Sequence, residues 1–290
     1  MKIGLIDVDG HNFPNLALMK LSAWHKAQGD DAEMVFPMAK YDRVYMSKVF
    51  TATPDFDTCV NAKEIIRGGT GYELKNKLPP EIEAMRPDYS LYNNTETAYG
   101  FLTRGCPRGC PFCIVGEKEG RRSYKVADVT DWWSGQKKIE LLDPNLLACK
   151  DHMELLKELA TTKASVDISQ GADCRLLTED NINALNHVNI SMIHFAWDMM
   201  KNTTAVLQGL ELYAKLGGVH DERRRRVYVL TNFDTTMEEN LYRIYKLREL
   251  KYDPYVMIYE KWKAPPEILH LQRWVNNKFI WRSCEKFEDY

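Results

Sequence analysis

Thr103-Arg104-Gly105-Cys106-Pro107-Arg108-Gly109-Cys110-Pro111-Phe112-Cys113 is the stretch on which the reading of this sequence turns. It sets three cysteines in a C-x3-C-x2-C spacing among glycines and prolines. Such a loop is tight enough to gather three thiolates around one centre, and thiolates are natural ligands of iron–sulfur clusters and of zinc. A structural zinc needs a closed set of four ligands. The nearest histidines, His11 and His152, lie outside the loop. The spacing therefore favours a cluster, with zinc as the alternative. A 4Fe-4S cluster held by three thiolates leaves one iron open to a small molecule.

Outward from the loop, the chain alternates. Ala98–Thr103 reads as a strand leading into the cysteines, followed by strand candidates Ile139–Asp143, Ser165–Ser169, Ile190–Ala196, Arg226–Thr231 and Tyr255–Tyr259. Helices are expected at about 124–134, 151–162, 178–187, 202–217 and 235–251, with N-terminal cap signals at Thr178-Glu179-Asp180 and Thr235 to Glu239. Strands alternating with helices imply right-handed βαβ units and a parallel sheet. Six units are too few for a closed eight-fold barrel, which takes roughly 250 residues. An open, partial (β/α)6 barrel over 94–262 is expected, with a helical tail over 263–290 centred on Ile268–Val275. Residues 1–93 read as a small Rossmann-like α/β domain: strand Lys2–Val8, an amphipathic helix after Pro14, strands Glu33–Phe36 and Val44–Val49, and a loop at Gly68-Gly69.

In parallel α/β folds, sites form at the C-terminal ends of strands. Asp143 and Asn145 follow the second strand of the series. Gln170, Asp173 and Arg175 follow the third, and can hydrogen-bond hydroxyls or fork a carboxylate. Asp198 ends the fourth strand and Asn232 the fifth, both able to face the mouth, and Tyr255 and Met257 on the sixth could pack on a flat ring. Each of these positions also has a bland reading as turn, cap or core.

Composition bounds the rest. Of 290 residues, 44% are hydrophobic and 28% charged, the balance of a soluble globular chain and not of a disordered one. No apolar run approaches the ~20 residues of a membrane helix. Met1 to Ile6 is broken by Asp7 and Asp9, so it reads as a strand and not a secretory signal. Seven cysteines, three of them clustered, do not make a disulfide framework, and a reduced, cytoplasmic setting is expected. A net charge of −2 gives no general attraction to nucleic acid. Arg223-Arg224-Arg225-Arg226 reads as a solvated basic turn at the end of the barrel away from the site.

The cysteine loop resembles the signature of the radical S-adenosylmethionine superfamily, C-x3-C-x-aromatic-C, with Phe112 at the aromatic position. Its wording is similar to the subgroup with an N-terminal cobalamin-binding-like domain. The resemblance implies a 4Fe-4S cluster on Cys106, Cys110 and Cys113. The open iron would be chelated by the amine and carboxylate of S-adenosylmethionine. Reductive cleavage would then give a 5′-deoxyadenosyl radical that takes hydrogen from a substrate. It places Phe112, Asp143, Asn145, Gln170, Asp173, Arg175, Asp198, Asn232, Tyr255 and Met257 around the cofactor and offers Cys174 as a hydrogen-atom donor. It also implies a flavodoxin- or ferredoxin-type electron donor and a small-molecule, nucleotide or peptide substrate. Cys149 and Cys174, being isolated, cannot close a second four-thiolate cluster.

In such a subgroup Gly68-Gly69 falls where the first domain would contact a nucleotide tail. Yet Asp7-Val8-Asp9-Gly10-His11-Asn12 has the residue types of an axial-histidine motif at the wrong spacing. About 90 residues are also short for enclosing a corrinoid, against the ~100 or more of a typical domain. A degenerate domain is the reading, with His11 a loop residue or substrate contact and cobalamin admitted but not favoured. A cobalamin-dependent methyltransferase and a noncatalytic zinc- or cluster-binding interaction protein are the alternatives.

Overall fold

The computed structural model describes every residue except 11–12 and 94–95, so His11 lies outside the described residues. The chain divides into two compact units. One comprises Met1–Tyr99 with Thr130–Gln136, and the other Gly100–Val129 with Lys137–Tyr290.

The first unit holds β1 (Lys2–Asp7), α1 (Leu16–Ala27), β2 (Asp31–Met34), β3 (Lys40–Ser47), β4 (Asn61–Gly68) and a short α2 (Pro80–Glu83). The strands form a parallel sheet in the order β2-β1-β3-β4. Ile3 and Leu5 of β1 meet Leu18 and Leu21 of α1 and Ile82 of α2 in an apolar core. The side chain of Asn15 caps α1 by accepting from the Leu18 N–H at 3.2 Å. The strand β4 has no counterpart in the sequence reading. Its side chains are mostly exposed, so it lacks the apolar alternation that announces a strand. Gly69 has a positive φ of 93°, and a Cβ there would stand 2.4 Å from the Lys48 carbonyl oxygen. Close passage of two backbones thus requires this glycine. The segment 130–136 joins this unit through Arg86, which donates to the Thr130 carbonyl at 2.6 Å and the Ser134 hydroxyl at 2.9 Å.

The second unit is built on six strands: β5 (Thr97–Gly100), which spans the division at Tyr99, β8 (Lys138–Leu141), β9 (Ser165–Ile168), β10 (Ile190–Ala196), β11 (Arg225–Thr231) and β12 (Asp253–Ile258). They lie in strictly sequential order, and the pairs from β8 to β12 are parallel. Sequential parallel strands with intervening helices are the open barrel expected from the sequence. The crossovers are α4 (His152–Thr162), α5 (Glu179–His187), α6 (Thr203–Leu216) and α7 (Met237–Glu249). Thr178 and Thr236 form capping boxes at the starts of α5 and α7, as their local sequence announces. Between β5 and β8 the expected helix at 124–134 is replaced. A two-residue hairpin pairs β6 (Thr103–Arg104) with β7 (Tyr124–Lys125), and α3 (Val115–Lys118) and a 3-10 turn at Val129–Asp131 supply the rest. The pairing partner twenty residues upstream overrides local propensity.

One sheet face is apolar. Ile139, Val166, Ile193, Val227 and Val256 are buried, and Phe195 of the same parity meets Tyr213 of α6 edge-on at 5.1 Å. The tail folds as α8 (Pro266–Asn276) and α9 (Lys278–Ser283). The Asn276 amide accepts from Val256 N at 2.8 Å and donates to Val256 O at 3.0 Å, and Gln272 donates to the same oxygen at 3.1 Å. The arginine run is a solvated turn in its first half only, since Arg223 and Arg224 are exposed and Arg225 and Arg226 are not. Only Arg223 is spent on a local pair, with Asp221. Arg224 donates to Ser191 O and Ile190 O, Arg225 is buried and donates to Lys251 O, and Arg226 pairs with Asp253 at 2.9 Å. Stem packing and backbone acceptors draw these side chains onto the starts of the strands.

Candidate functional site

The cysteine loop leaves β6 under tight control. Asp143, 1% exposed, accepts at one carboxylate oxygen from Leu102 N at 3.0 Å and at the other from Thr103 N and the Thr103 hydroxyl, both at 2.5 Å. Both oxygens are thereby engaged, so Asp143 serves as the clamp of the loop's entrance. Burial pushes its carboxyl up to about 6, against the opposing hydrogen bonds from Thr103 and Leu102. Gly105 follows with a φ of 80°, and a Cβ there would lie 2.1 Å from the Arg122 carbonyl oxygen. Glu119 grips the same turn, accepting from Gly105 N at 2.9 Å and from Arg104 at 2.8 Å. Cys106 N donates to Gly120 O at 3.2 Å, and Cys113 N to Cys110 O at 3.0 Å, so backbone bonds add to the side-chain clamps in folding the loop over itself.

Beneath the loop lies a polar network. Asn145, 3% exposed, donates from Nδ2 to the Cys106 sulfur at 3.4 Å and to Asp173 at 3.3 Å. Its Oδ1 is buried with no hydrogen-bond partner. Asp173 accepts from Arg108 of the cysteine loop at 2.5 Å and from Arg175 at 2.7 and 3.0 Å. Burial would raise the Asp173 carboxyl, but the two guanidiniums outweigh it and hold the group below the usual carboxylate range. The strand-end residues Asn145, Asp173 and Arg175 are thus brought together with the cysteines. The task of Asp173 is to tie the loop to the sheet, which occupies both of its oxygens.

Asp198 also belongs to this cluster. Its charge acts on the thiols of both Cys110 and Cys113, which burial chiefly pushes upward. Burial likewise lifts Asp198 to about 6, against Arg243 and Arg175. Phe112 meets Phe233 at 5.4 Å, and Phe233 meets Tyr259 at 5.0 Å, making an edge-to-face aromatic row beside the loop. Asn232 is committed to the frame, since its amide donates to Tyr259 O at 2.8 Å and ties the ends of β11 and β12.

A 4Fe-4S cluster asks each of three thiolates to hold a different iron, whereas zinc asks all its ligands to converge on one ion. Among the described residues no group of three or more His, Cys, Asp or Glu could hold a single metal ion. The donor set is three mutually interacting thiols, one with an amide N–H on its sulfur and an orphaned amide oxygen beside it. That set fits a three-thiolate cluster with an open edge.

No family model matches the chain, and no curated protein matches it. Solved structures do. Two are of the radical S-adenosylmethionine methyltransferase TsrM from Kitasatospora setae, one with cobalamin and a 4Fe-4S cluster bound, the other with tryptophan substrate and the S-adenosylmethionine analogue aza-SAM. Each superimposes with a TM-score of 0.63 at 10% identity, over 89% of this chain and 72% of that one. The chain shares the TsrM fold. At that identity the likeness concerns architecture, and it extends over both an N-terminal α/β sheet and the six-stranded sheet.

The remaining sequence-predicted positions are not gathered at the loop. Gln170 is exposed past β9. Tyr255 lies under the Arg226 guanidinium and edge-on to Tyr228, and Met257 is 46% exposed, so they do not form a joint adenine platform. Cys174, 1% exposed, has its thiol pushed up to about 12 by burial, and its backbone is pressed against Gly209 of α6. That is the setting of a core thiol and not of a hydrogen donor at a mouth. Glu119, which grips the loop's entrance, escaped the sequence reading, as did three other contributors. Arg108 sits inside the motif, where its charge was the only signal. Phe233 follows Asn232 directly. Arg243 of α7 is fully buried and donates to Trp197 O at 2.6 Å and Leu230 O at 2.9 Å, fixing the strand ends that carry Asp198 and Asn232.

Proposed function

We propose that this chain is a radical S-adenosylmethionine enzyme. The observation that carries the reading is a three-thiol loop, C-x3-C-x2-C, issuing from the first strand of a six-stranded sequential sheet on the TsrM fold. Cys106, Cys110 and Cys113 hold a 4Fe-4S cluster, which when bound supplies the electron that cleaves S-adenosylmethionine to methionine and a 5′-deoxyadenosyl radical able to take hydrogen from a substrate. The chain's part is positional. Asp143 and Glu119 fix the loop's entrance. Arg108 and Asp173 tie its middle to the sheet, and Asn145 presents an N–H to the Cys106 sulfur and a free oxygen to any donor beside it. The Phe112–Phe233–Tyr259 row flanks the loop on one side.

A cobalamin-dependent methyl transfer is the second reading. It is favoured by a likeness to TsrM that includes the first unit. Anaerobic, reconstituted protein given dithionite and S-adenosylmethionine is expected to release 5′-deoxyadenosine and methionine. A verified cluster that yields no 5′-deoxyadenosine refutes the first reading. S-adenosylhomocysteine formed on addition of cobalamin supports the second. The electron donor is proposed to be a flavodoxin- or ferredoxin-type protein. No helix among the described residues is long and apolar enough to cross a membrane.

A further inference from the structure

Parallel strands buried on both faces read as unbroken apolar runs. Those of the second unit do not. Opposite the apolar face, Glu140, Asp167, His194, Tyr228 and Tyr255 follow one another across β8, β9, β10, β11 and β12. Glu140 and Asp167 are direct register partners, as are Tyr228 and Tyr255. His194 Nδ1 lies 3.1 Å from Ile168 O and 3.2 Å from Asp167 Oδ1. One N–H cannot serve both acceptors fully. With the proton on the carbonyl, the buried Asp167 Oδ1 is left without a hydrogen bond. The His194 ring, 4% exposed, stacks on Tyr228 with centroids 5.1 Å apart and planes 13° apart. Its Nε2 has no partner among the described residues. The Tyr228 hydroxyl is spent on Ser169 O at 2.8 Å, which leaves its ring as the surface it offers.

The charge of this wall is unbalanced. One imidazole, His194, with Nδ1 3.2 Å from Asp167, faces two carboxylates, and the other nearby cations are committed elsewhere. Arg226 pairs with Asp253 and lies over Tyr255, and Lys278 pairs with Asp253 as well. Among the described residues no guanidinium or ammonium bonds Glu140 or Asp167. Two adjacent carboxylates, half-buried, require a proton or a cation between them. Burial and the Asp167 charge together push Glu140 up to about 7. The carboxylates stand beside the aromatic ring of Tyr228, a setting that suits an organic cation. Position agrees with a substrate. These residues sit one to three positions inside the C-terminal ends of their strands, which at about 3.3 Å per residue is within ~10 Å of the rim.

We propose that this wall anchors the substrate, and that the substrate carries a protonated amine. The ammonium N–H groups are taken by Glu140 and Asp167, and the carbon frame lies against Tyr228 on the side away from His194. The word substrate rests on the radical-enzyme reading. The binding itself does not.

The test is calorimetric titration of the full, anaerobically reconstituted chain near neutral pH with phenethylamine, 2-phenylethanol and phenylacetate, which share a frame and differ in charge. The amine is expected to bind about tenfold or more tighter than the alcohol, the contrast that one charge-assisted contact supports, and phenylacetate to give no heat. E140Q/D167N, with the near-ultraviolet circular dichroism of the parent, is expected to bind amine and alcohol alike. Should the double variant fail to fold, the isosteric E140Q alone is expected to reduce the preference. Equal binding of amine and alcohol by the parent, absence of heat with the amine, or a preference that survives in the variants overturns the proposal. Cleavage of S-adenosylmethionine, assayed without any amine, reports on the other reading. Cleavage without amine preference sinks only the present proposal, and amine preference without cleavage sinks only that one.

Discussion

Replacing Glu140 with Gln is expected to stabilise the protein at alkaline pH, the reverse of what removing a charge beside a histidine suggests. In the folded state burial first, and then the neighbouring Asp167 charge, raise the Glu140 carboxyl from its ordinary 4.5 to about 7. The native state therefore binds a proton more tightly than the unfolded chain between those two values. Stability linked to this group is fully present below pH ~4.5 and is lost as pH rises through about 7. The ionised group costs on the order of 3 kcal/mol above that point, at 1.36 kcal/mol per unit. Water reaching a half-buried side chain trims this to ~1.5–3 kcal/mol. Glutamine keeps the shape and removes the charge. Urea unfolding across the range from about pH 4 to 8, with slopes compared to check that the surface exposed is unchanged, is expected to show the variant ahead at the alkaline end and level at the acid end. A variant no more stable than the parent at the alkaline end, or a difference independent of pH, refutes the argument.

Cys106→Ala is expected to abolish the brown absorbance and the bound iron and sulfide, since each thiolate holds a different iron; retained cluster content means the ligands are wrong. Asp143→Asn turns an amide donor toward Leu102 N or Thr103 N and is expected to cost ~2–4 kcal/mol in urea unfolding, because a buried acceptor of three bonds becomes a clash of donors. An unchanged unfolding midpoint refutes the clamp. Asp173→Ala frees Arg108 and Arg175, and the loop is expected to lose its cluster faster to a chelator; because Asp173 is held below the usual carboxylate range, the parent keeps this tie as pH falls through ~4. Chelation rates equal in parent and variant remove Asp173 from this role.

What was legible in the sequence was local. Thr178 and Thr236 announce their helices because a capping box closes within four residues, and Ile190–Ala196 reads as a strand from its own apolar run. What was hidden was made by distance along the chain. Tyr124 pairs across to Arg104, so a stretch that looked helical became a hairpin. Arg108 finds Asp173 sixty-five residues on, so two residues read as separate proved to be one tie. The clamp on Asp143 likewise spans about forty residues. The polar wall does have a signal in the sequence. Glu140, Asp167 and His194 interrupt strands that would be apolar throughout if both faces were packed in a core.

The amide groups of Gln272 and Asn276 on the outermost strand have a consequence for assembly. An open parallel sheet ends in a backbone that offers unpaired groups to any extended peptide, and such margins are where chains join one another edge to edge. Here α8 presents, one helical turn apart, two side chains that satisfy Val256 as a neighbouring strand would. The tail is thus a stopper. It lets the sheet end at six strands without closing into a ring, and it denies that margin to a seventh strand, whether from this chain or from another copy.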